Sequence, residues 1–396
     1  MLFRSPDLVK DVLLTNHQNF IKGEAVRFNR RVFGKGLVAN EGTSWARQRR
    51  LIQPAFHRDS IESYADTMVT YTERMLATWC DGETRDIHQD MMRLTLEIVA
   101  TALFSVEIAS DRDRVSIALN TLMEMSSGAR MLLPPMLRLF PTPGNMRYLS
   151  AVRQLDNIVY GIIRRRQASS EIHEDLLTTL LEARYDDGGA MTTLQLRDEV
   201  MTFLLAGHET TAVSLSWTWY LLSQNPDVEK KLWSELRRVL NGRSPRMADL
   251  PALPYTERVI KEAMRLYPPV WALVRNPLKD CALGGYRIPA RTTILMSQWV
   301  MHRDPRYYDE PERFNPDRWL DARSRAMPKF AYFPFGGGPR TCIGASFATT
   351  EAALVLATIA QKYQIRVTPG HVVAPIPTIT LRPRHGIQVA VARRTE

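Results

Sequence analysis

Apolar residues recur every three to four positions from about residue 5 to residue 363, and cap and stop signals interrupt them at frequent intervals. This spacing predicts a chain built mainly of amphipathic helices. The clearest predicted helices span residues 45–54, 60–78, 91–104, 150–169 and 225–240. The last begins at Asn225 before Pro226 and closes at Asn241 and Gly242, which is the expected residue chemistry at both helix ends.

Strand-like runs are short and come late, at residues 285–288, 292–296, 363–367, 376–381 and 387–392. They are too few for a large sheet. The fold class predicted from the pattern is therefore mainly α with a small β-sheet portion.

The longest predicted helix starts at a capping box formed by Thr192 and Gln195 and stops at Asn225 before Pro226. At 1.5 Å per residue, its roughly 30 residues would extend about 45 Å. Its apolar middle is interrupted by the polar run Gly207-His208-Glu209-Thr210-Thr211. This run is either a tolerated polar irregularity or, if buried, an acid beside an alcohol suited to moving protons.

Composition excludes several classes of protein. With 396 residues, 45% hydrophobic and 24% charged, the chain can bury a sizeable core, which excludes disorder, collagen and disulfide-stapled miniproteins. Length alone allows two or three domains, but the sequence shows no linker between them, so a single large domain is also allowed.

The charge is +10, and its basic side consists of 43 Arg against 9 Lys. The arginines are scattered, and their tightest cluster, Arg164 to Arg166, falls on a helical pattern without any nucleic-acid motif. No nucleic-acid partner is expected. An acidic protein or an anionic surface remains a possible partner.

Cys80, Cys281 and Cys342 are odd in number and widely spaced, which argues against a disulfide framework or a paired-cysteine zinc site. We expect Cys80 and Cys281 to be small buried core residues. The chain opens without a signal peptide and holds no run of about 18 apolar residues, so we predict a cytoplasmic protein without a transmembrane anchor.

Cys342 follows a glycine-rich loop and precedes a predicted helix at residues 345–362. Backbone N–H groups and the positive end of a helix stabilise a thiolate at such a position. Cys342 is thus a candidate ligand or nucleophile. A nucleophile would need a paired histidine, which does not lie nearby in sequence.

The Cys342 loop resembles that of the cytochrome P-450 family, the haem-thiolate monooxygenases. The family pattern F-x-x-G-x-R-x-C-x-G is met by Phe335, Gly338, Arg340, Cys342 and Gly344. Three further patterns follow in family order. They are A-G-x-[D/E]-T-T at residues 206–211, E-x-x-R at Glu262 and Arg265, and F-x-P-x-R-[F/W] at residues 314–319.

The resemblance implies a haem b whose iron is bound by Cys342 as proximal ligand. Phe335 and Gly344 belong to its loop, and Ala206 and Gly207 would lie against the porphyrin. Glu209 and Thr210 would be the catalytic pair that relays protons to bound O2.

A buried ion triad is also implied, in which Glu262 pairs with Arg265 and Arg318 and holds the Cys342 loop. By spacing alone, Glu262 and Arg265 are more typical of a solvated surface ion pair. Arg313 is out of register with the motif.

Haem propionates would be bound by Trp45 and Arg49, which match the family's W-x-x-x-R on a helix capped by Thr43 or Ser44. Arg340 and Arg275 would add charge-assisted contacts to the propionates.

The implied fold is the cytochrome P-450 fold, with a long distal helix crossing the molecule and haem between it and the helix after the Cys342 loop. Because motifs from Trp45 to Gly344 share one haem, residues 1–396 are predicted to form a single haem-thiolate monooxygenase domain. The resemblance implies that the family's N-terminal helix and first strands would precede residue 5, and we expect them to be missing.

The implied reaction inserts one atom of O2 into a lipophilic small organic substrate. Electrons would come from a separate ferredoxin or flavodoxin with its NAD(P)H reductase, which would dock on a basic surface with Arg47, Arg50 and Lys329 as candidates. The protein is expected to be a monomer. Two alternatives are open: a haem-thiolate isomerase or peroxygenase, and a haem sensor or electron carrier.

Substrate contacts are implied for the loop before Trp45, for Phe203 and Ala206, and for residues 270–274 and 377–380. The Met-, Leu- and Pro-rich segment 131–143 is interpreted either as a lid or membrane-touching loop, or as plain core packing.

Overall fold

The structure is a computed structural model that describes residues 1–23, 30–108, 112–125, 142–171, 173–185 and 188–394. Most of the interpreted segment 131–143, residues 131–141, lies outside these ranges. In the described part of the chain, no helix is both long and apolar enough to cross a membrane.

Helices dominate the described residues. They are α1 Pro6–Lys10, α2 Arg30–Phe33, α3 Gly42–Ile52, α4 Arg58–Leu76, α5 Ile87–Phe104, α6 Arg112–Met125, α7 Pro143–Ala168, α8 Leu176–Glu182, α9 Thr193–Gln224, α10 Pro226–Leu240, α11 Pro254–Leu266, α12 Gln298–Met301, α13 Ala322–Ala326 and α14 Ala345–Lys362.

The strands are short. They are β1 Leu2–Phe3, β2 Phe20–Lys22, β3 Thr84–Asp86, β4 Leu273–Pro277, β5 Cys281–Leu283, β6 Tyr286–Ile288, β7 Ile294–Met296, β8 Tyr363–Val367, β9 Pro375–Pro377, β10 Leu381–Pro383 and β11 Gln388–Arg393.

Two compact units make up the chain. The first comprises residues 1–23, 61–94 and 210–396, and the second comprises residues 24–60 and 95–209. Helix α9 supplies residues to both, since the assignment changes between Glu209 and Thr210.

All named strands lie in the first unit. β1, β7, β4 and β2 form one sheet in that order, with β1 parallel to β7 and the other pairs antiparallel. β3, β11 and β8 form an antiparallel sheet, and the pairs β9/β10 and β5/β6 are hairpins. An apolar cluster that includes Phe3, Phe20 and Phe333 fills the space next to the first sheet.

Helix α14 belongs to the first unit and is apolar on nearly every side, so residues 352–360 are all buried. A helix that is hydrophobic all round is stable only inside a core. The residues directly before it, which include Cys342, are therefore attached to one of the most firmly held elements of the unit.

The second unit is helical in its described residues apart from an isolated bridge between Arg184 and Ala190. The ion pair of Arg166 with Asp175 holds α7 to α8 at 2.7 Å. Asp175 also caps α8 by accepting from Thr178 N, and these bonds keep the pKa of Asp175 below its ordinary value despite burial.

The helical predictions agree with the structure in type, and the fold class, mainly α with small sheets, is confirmed. The capping box of α9 is present, with Gln195 N donating to Thr192 Oγ1 and Thr192 N donating to Gln195 Oε1. Helix α9 stays α-helical through Gly207 and both threonines, so the polar run does not break it.

Several local predictions were wrong. Residues 376–381 form the turn and parts of both strands of a hairpin rather than one strand. Asn225 precedes α10, yet its side chain donates to Leu221 O of the previous helix instead of capping. Cys80 is exposed and Cys281 only half-buried, because the first lies in the loop after α4 and the second lies on a two-stranded ribbon.

Candidate active site

The Cys342 loop is a tight turn held by its own backbone. Cys342 N donates to Phe335 O at 3.0 Å, and Thr341 N donates to Gly338 O at 3.0 Å. Gly336 and Gly338 have φ of 72° and 68°, which only glycine adopts without strain. The turn ends at Gly344, the N-cap of α14, and leaves the Cys342 side chain exposed.

Two glycines let this loop approach its neighbours closely. A Cβ on Gly338 would lie 1.8 Å from Leu13 O, and one on Gly337 would lie 2.3 Å from Phe330 Cε1. Side chains here would push the loop away from the N-terminal segment and the apolar cluster. Small size as well as conformational freedom is therefore required at Gly338.

Glu262, Arg265 and Arg318 form a buried ion triad. Arg265 donates from Nε and Nη2 to the two Glu262 carboxylate oxygens at 2.9 Å each, and Arg318 Nε donates to Glu262 Oε1 at 2.8 Å. The Glu262 and Arg265 side chains are fully buried, unlike the surface pair that spacing alone favours. Each remaining guanidinium proton then needs a partner, because buried unpaired donors are costly.

Backbone carbonyls of one irregular segment provide those partners. Arg265 donates to Pro311 O and Arg313 O, while Arg318 donates to Asp309 O, Glu310 O and Arg313 O. Arg313 thus contributes only its carbonyl to the triad, and its side chain pairs with Glu310 outside. The triad therefore fixes residues 309–313, which lie outside the helices and strands.

His302 connects the triad to the approach of the Cys342 loop. Arg265 donates to His302 O at 2.8 Å, and Phe333 N donates to His302 Nε2 at 3.0 Å. Burial, with Arg265 and Arg303 nearby, lowers the pKa of His302 to about 3. His302 is therefore neutral and available as an acceptor for the chain two residues before Phe335.

The two arginines of the first unit predicted to bind propionate lie on different elements. Arg340, in the Cys342 loop, donates to His17 O at 3.2 Å. Arg275 is 7% exposed on β4 and donates to its neighbour Val274 O.

Trp45 and Arg49 lie one turn apart on α3 in the second unit. The Arg49 guanidinium lies 5.8 Å from the centre of the Trp45 ring, so both side chains share one face of the helix. The expectation that Thr43 or Ser44 caps this helix was wrong. The helix starts at Gly42 with Glu41 at the N-cap position, and no side chain caps it.

In the second unit, hydrogen bonds at His208 hold the part of the polar run that belongs to that unit. The His208 ring donates from Nδ1 to Leu204 O at 2.8 Å, and Thr95 Oγ1 donates to His208 O. A Cβ on Gly207 would lie 3.1 Å from Val99. Ala206 and Gly207 are half-buried, Glu209 is 2% exposed, and Thr210 is half-buried.

The sequence argument missed Glu351. It is fully buried on α14, nine residues after Cys342, and lies next to Thr211 of the polar run. Burial raises its pKa well above the ordinary value, and the Thr211 hydroxyl only partly opposes this. The available signal was a lone acid directly before the apolar stretch 352–360.

Two of the segments expected to contact substrate meet in the first unit. Trp271 Nε1 donates to Thr378 O at 2.9 Å, and Leu381 N donates to Pro269 O at 2.9 Å. In the second unit, Phe203 stacks on Phe56 with ring centres 5.3 Å apart. These are mainly apolar and aromatic surfaces, which are typical of sites for lipophilic molecules.

The residues of the first unit suit a haem group. Cys342 presents an exposed thiol on a rigid loop at a helix N-terminus, a position that favours the thiolate. Arg340 adds a guanidinium two residues away, which is a suitable partner for a carboxylate. Haem needs both an axial ligand and partners for its propionates, and this set can supply them.

Comparison with known proteins agrees with this donor set. The sequence profile of the family described as cytochrome P450 matches residues 1–391. Cyclooctatin synthase of Streptomyces melanosporofaciens is 39% identical over 95% of this chain and 83% of its own length. Pentalenene oxygenase of Streptomyces avermitilis is 37% identical over 98% of this chain and 87% of its own length.

Similarity extends to the solved structure of the cytochrome P450DA heme domain, with a TM-score of 0.89 and 27% sequence identity. It covers 100% of this chain and 88% of that domain. Haem iron and the use of O2 are properties of the family. The chain with its Cys342 loop, its buried Glu262 triad and its acid-alcohol run on α9 therefore belongs to the cytochrome P450 family.

Proposed function

We propose that this P450 monooxygenase inserts one atom of O2 into a lipophilic ring hydrocarbon or an alcohol derived from one, using haem b bound through Cys342. The observation that carries the proposal is the exposed Cys342 thiol on a backbone-locked loop at the start of α14. The substrate class is supported by two relatives, whose names denote pentalenene and cyclooctat-9-en-7-ol as substrates.

Each residue then has a role. Cys342 binds the iron, Phe335 and Gly344 shape its loop, and Ala206 and Gly207 leave room on the distal side. Trp45, Arg49 and Arg340, with Arg275, bind the propionates. Haem bound through a cysteine thiolate supplies the iron at which O2 is activated, the established property of this family.

Proton delivery is assigned to Glu209 and Thr210. The Thr210 hydroxyl would donate a hydrogen bond toward the oxygen site and be reprotonated through the Glu209 carboxylate. An acid and an alcohol in successive positions can pass protons without admitting bulk water. The same pair argues against the isomerase or peroxygenase alternative, which has no need of it.

Electrons come from a redox partner, which we propose to be an acidic ferredoxin or flavodoxin with its NAD(P)H reductase. Arg47, Arg50 and Lys329 are exposed and can attract such a partner. A single domain, a monomeric state and a cytoplasmic location stay predictions of the sequence.

The test is a spectroscopic binding screen on the haem-loaded protein. We expect the ferrous carbon-monoxide complex to show the Soret shift typical of thiolate ligation. Ring hydrocarbons and their alcohols should shift the ferric Soret band, whereas charged analogues of equal size should not. Absence of the thiolate shift would contradict the role of Cys342, and a response only to polar ligands would contradict the substrate class.

A further inference from the structure

Three consecutive polar residues near the start of α9, Arg197, Asp198 and Glu199, are almost completely buried, with exposures of 4%, 4% and 0%. Long charged side chains are rarely buried unless they have partners. Arg197 forms ion pairs with Asp156 and Asp198. All three residues also bond to the backbone of segment 32–37, which lies in the same unit before the helix that carries Trp45. No role in the proposed reaction requires them directly.

Each of the three holds a different point of that segment. Arg197 Nη1 donates to Val32 O at 2.5 Å. Lys35 N donates to Asp198 Oδ2 at 2.7 Å, and Leu37 N donates to Glu199 Oε2 at 3.0 Å. Beyond the end of α2 at Phe33, the backbone is thus bound by charged side chains rather than by a sheet or helix ladder.

The approach is close enough to require glycine. A Cβ on Gly34, whose φ is +52°, would lie 2.0 Å from Asp198 Oδ2. A Cβ on Gly36 would lie 2.4 Å from Asp198 O, a backbone atom that cannot rotate away. The segment is therefore built to touch α9, and the two carboxylates are its contact points.

The same segment is bound to α3. Gln48 is 1% exposed and donates from Nε2 to Lys35 O at 3.0 Å. Its Oε1 accepts from Asn40 Nδ2 at 2.6 Å, and Asn40 also donates to Ser44 Oγ at 2.8 Å. Lys35 therefore joins Asp198 on one side, through its N–H, to Gln48 on the other, through its carbonyl.

Gln48 lies between Trp45 and Arg49 on α3, and a change in its position would rotate or shift both side chains. We propose that Asp198 and Glu199 are positioning residues for haem: through segment 34–40 and Gln48 they fix the helix whose Trp45 and Arg49 bind the propionates. This inference rests on the proposed role of Trp45 and Arg49.

The first test is amide hydrogen exchange on the haem-loaded protein. Asp198→Asn should raise exchange at Lys35, and Glu199→Gln should raise exchange at Leu37, by about tenfold, because a neutral amide oxygen accepts a hydrogen bond more weakly than a carboxylate does. Gly36→Ala should do the same from the other side of the contact without touching a carboxylate.

The second readout is the rate of haem transfer to excess apomyoglobin, which we expect the same three variants to raise about tenfold. Glu235→Gln is the matched control. Glu235 is also a buried carboxylate that accepts from two backbone N–H groups, those of Tyr255 and Thr256, but it lies in the other unit. It should deprotect those two amides and leave Lys35 and haem transfer unchanged.

Unchanged exchange at Lys35 and Leu37 in the variants would overturn the anchoring itself. Raised exchange with unchanged haem transfer would overturn the positioning role if Arg49→Ala still accelerates transfer. If Arg49→Ala has no effect on transfer, the propionate role and the inference both fail, while the carbon-monoxide spectrum still tests the oxygenase function separately.

Discussion

At the scale of single residues, the buried Glu262 carboxylate and its two guanidinium partners form the most extensive charged network near the Cys342 loop. Glu262 accepts from Arg265 and Arg318, and both arginines extend to carbonyls of residues 309–313. Such a network contributes little net stability against an apolar replacement, but removal of one partner leaves charges buried without compensation. Its value is that it fixes an irregular backbone near the Cys342 loop.

We expect Glu262→Ala to destabilise the fold by about 3–5 kcal/mol and to yield protein that does not retain haem, because two buried guanidinium groups lose their anion. Haem content per chain and the carbon-monoxide spectrum measure the effect. Glu257→Ala on the exposed side of the same helix is the control and should be normal. A Glu262→Ala protein with full haem content would refute the structural role.

Thr210→Ala should divert reducing equivalents to peroxide while haem content stays normal, since the proposed hydrogen-bond donor is removed without loss of buried charge. We expect a several-fold rise in peroxide formed per NAD(P)H consumed. Thr210→Ser, which keeps the hydroxyl, should stay coupled. Equal coupling in Thr210→Ala and the parent protein would count against a proton relay through this residue.

At the scale of elements, the backbone conformation of turns and helix ends determines the position of the Cys342 loop. The loop depends on two left-handed glycines and on a separation from Leu13 O that leaves no room for a methyl group. Helix α14 behind it is held by burial on all sides. A rigid helix and a tight turn together orient one thiol.

A comparison of Gly338→Ala with Gly285→Ala separates the need for a positive φ from the need for a small residue at Gly338. Both glycines have positive φ, but a Cβ on Gly285 meets nothing within 4 Å, whereas one on Gly338 would collide with Leu13 O. We expect about 1 kcal/mol of destabilisation for Gly285→Ala. Gly338→Ala should add loss or displacement of haem. Thermal unfolding and the Soret band report these effects, and equal behaviour of the two variants would refute the steric argument.

Helix α10 ends on a non-glycine residue in the left-handed conformation, Asn241, with φ of 47°. Because glycine adopts this conformation without a Cβ penalty, we expect Asn241→Gly to leave stability unchanged or raise it by up to about 1 kcal/mol. Asn241→Ala should lower it by a similar amount. Urea unfolding midpoints compare them, and a stabilised Asn241→Ala would contradict the assigned cap.

For the molecule as a whole, buried neutral histidines set a pH limit on stability. Burial lowers the pKa values of His88, near Arg382, and His302, near Arg265, to about 3 each. In the unfolded chain both would titrate near 6.5. Between these values the unfolded state binds more protons, so stability rises with pH through the window and is lost as pH falls below about 6.5.

Urea unfolding at pH 7.5 and pH 5.5 should therefore show a loss of stability of up to about 1.4 kcal/mol per pH unit for each histidine below pH 6.5. His88→Gln should reduce the pH dependence of stability by about one proton, because glutamine does not titrate. Its amide can still contact Ser216, whose hydroxyl lies 3.0 Å from His88 Nδ1. Stability that is flat over this range would contradict the assignment of neutral buried histidines.

The extent to which the sequence alone predicts the structure differs between its helices, its strands and its buried residues. Helical periodicity, the α9 capping box and the start of α14 follow from local chemistry, so they could be predicted. Short strands such as Leu2–Phe3 and Phe20–Lys22 could not, because two or three residues carry no period and form only against distant partners. The exposure of Cys80 was likewise not visible in the local pattern, whereas the burial of Glu351 had a local signal, a lone acid next to the apolar stretch 352–360.

The motifs around Cys342, Glu262 and Thr210 identified the family because their residue types and spacing match the family's patterns. The tertiary structure decided which polar residues support them: His302 behind the Cys342 loop, Glu351 beside Thr211, and Asp198 and Glu199 on the segment before α3. Those contacts join residues from about 30 to more than 160 positions apart. Only the folded chain brings such residues close enough to form hydrogen bonds, and the spacing of residues along the sequence does not show these contacts.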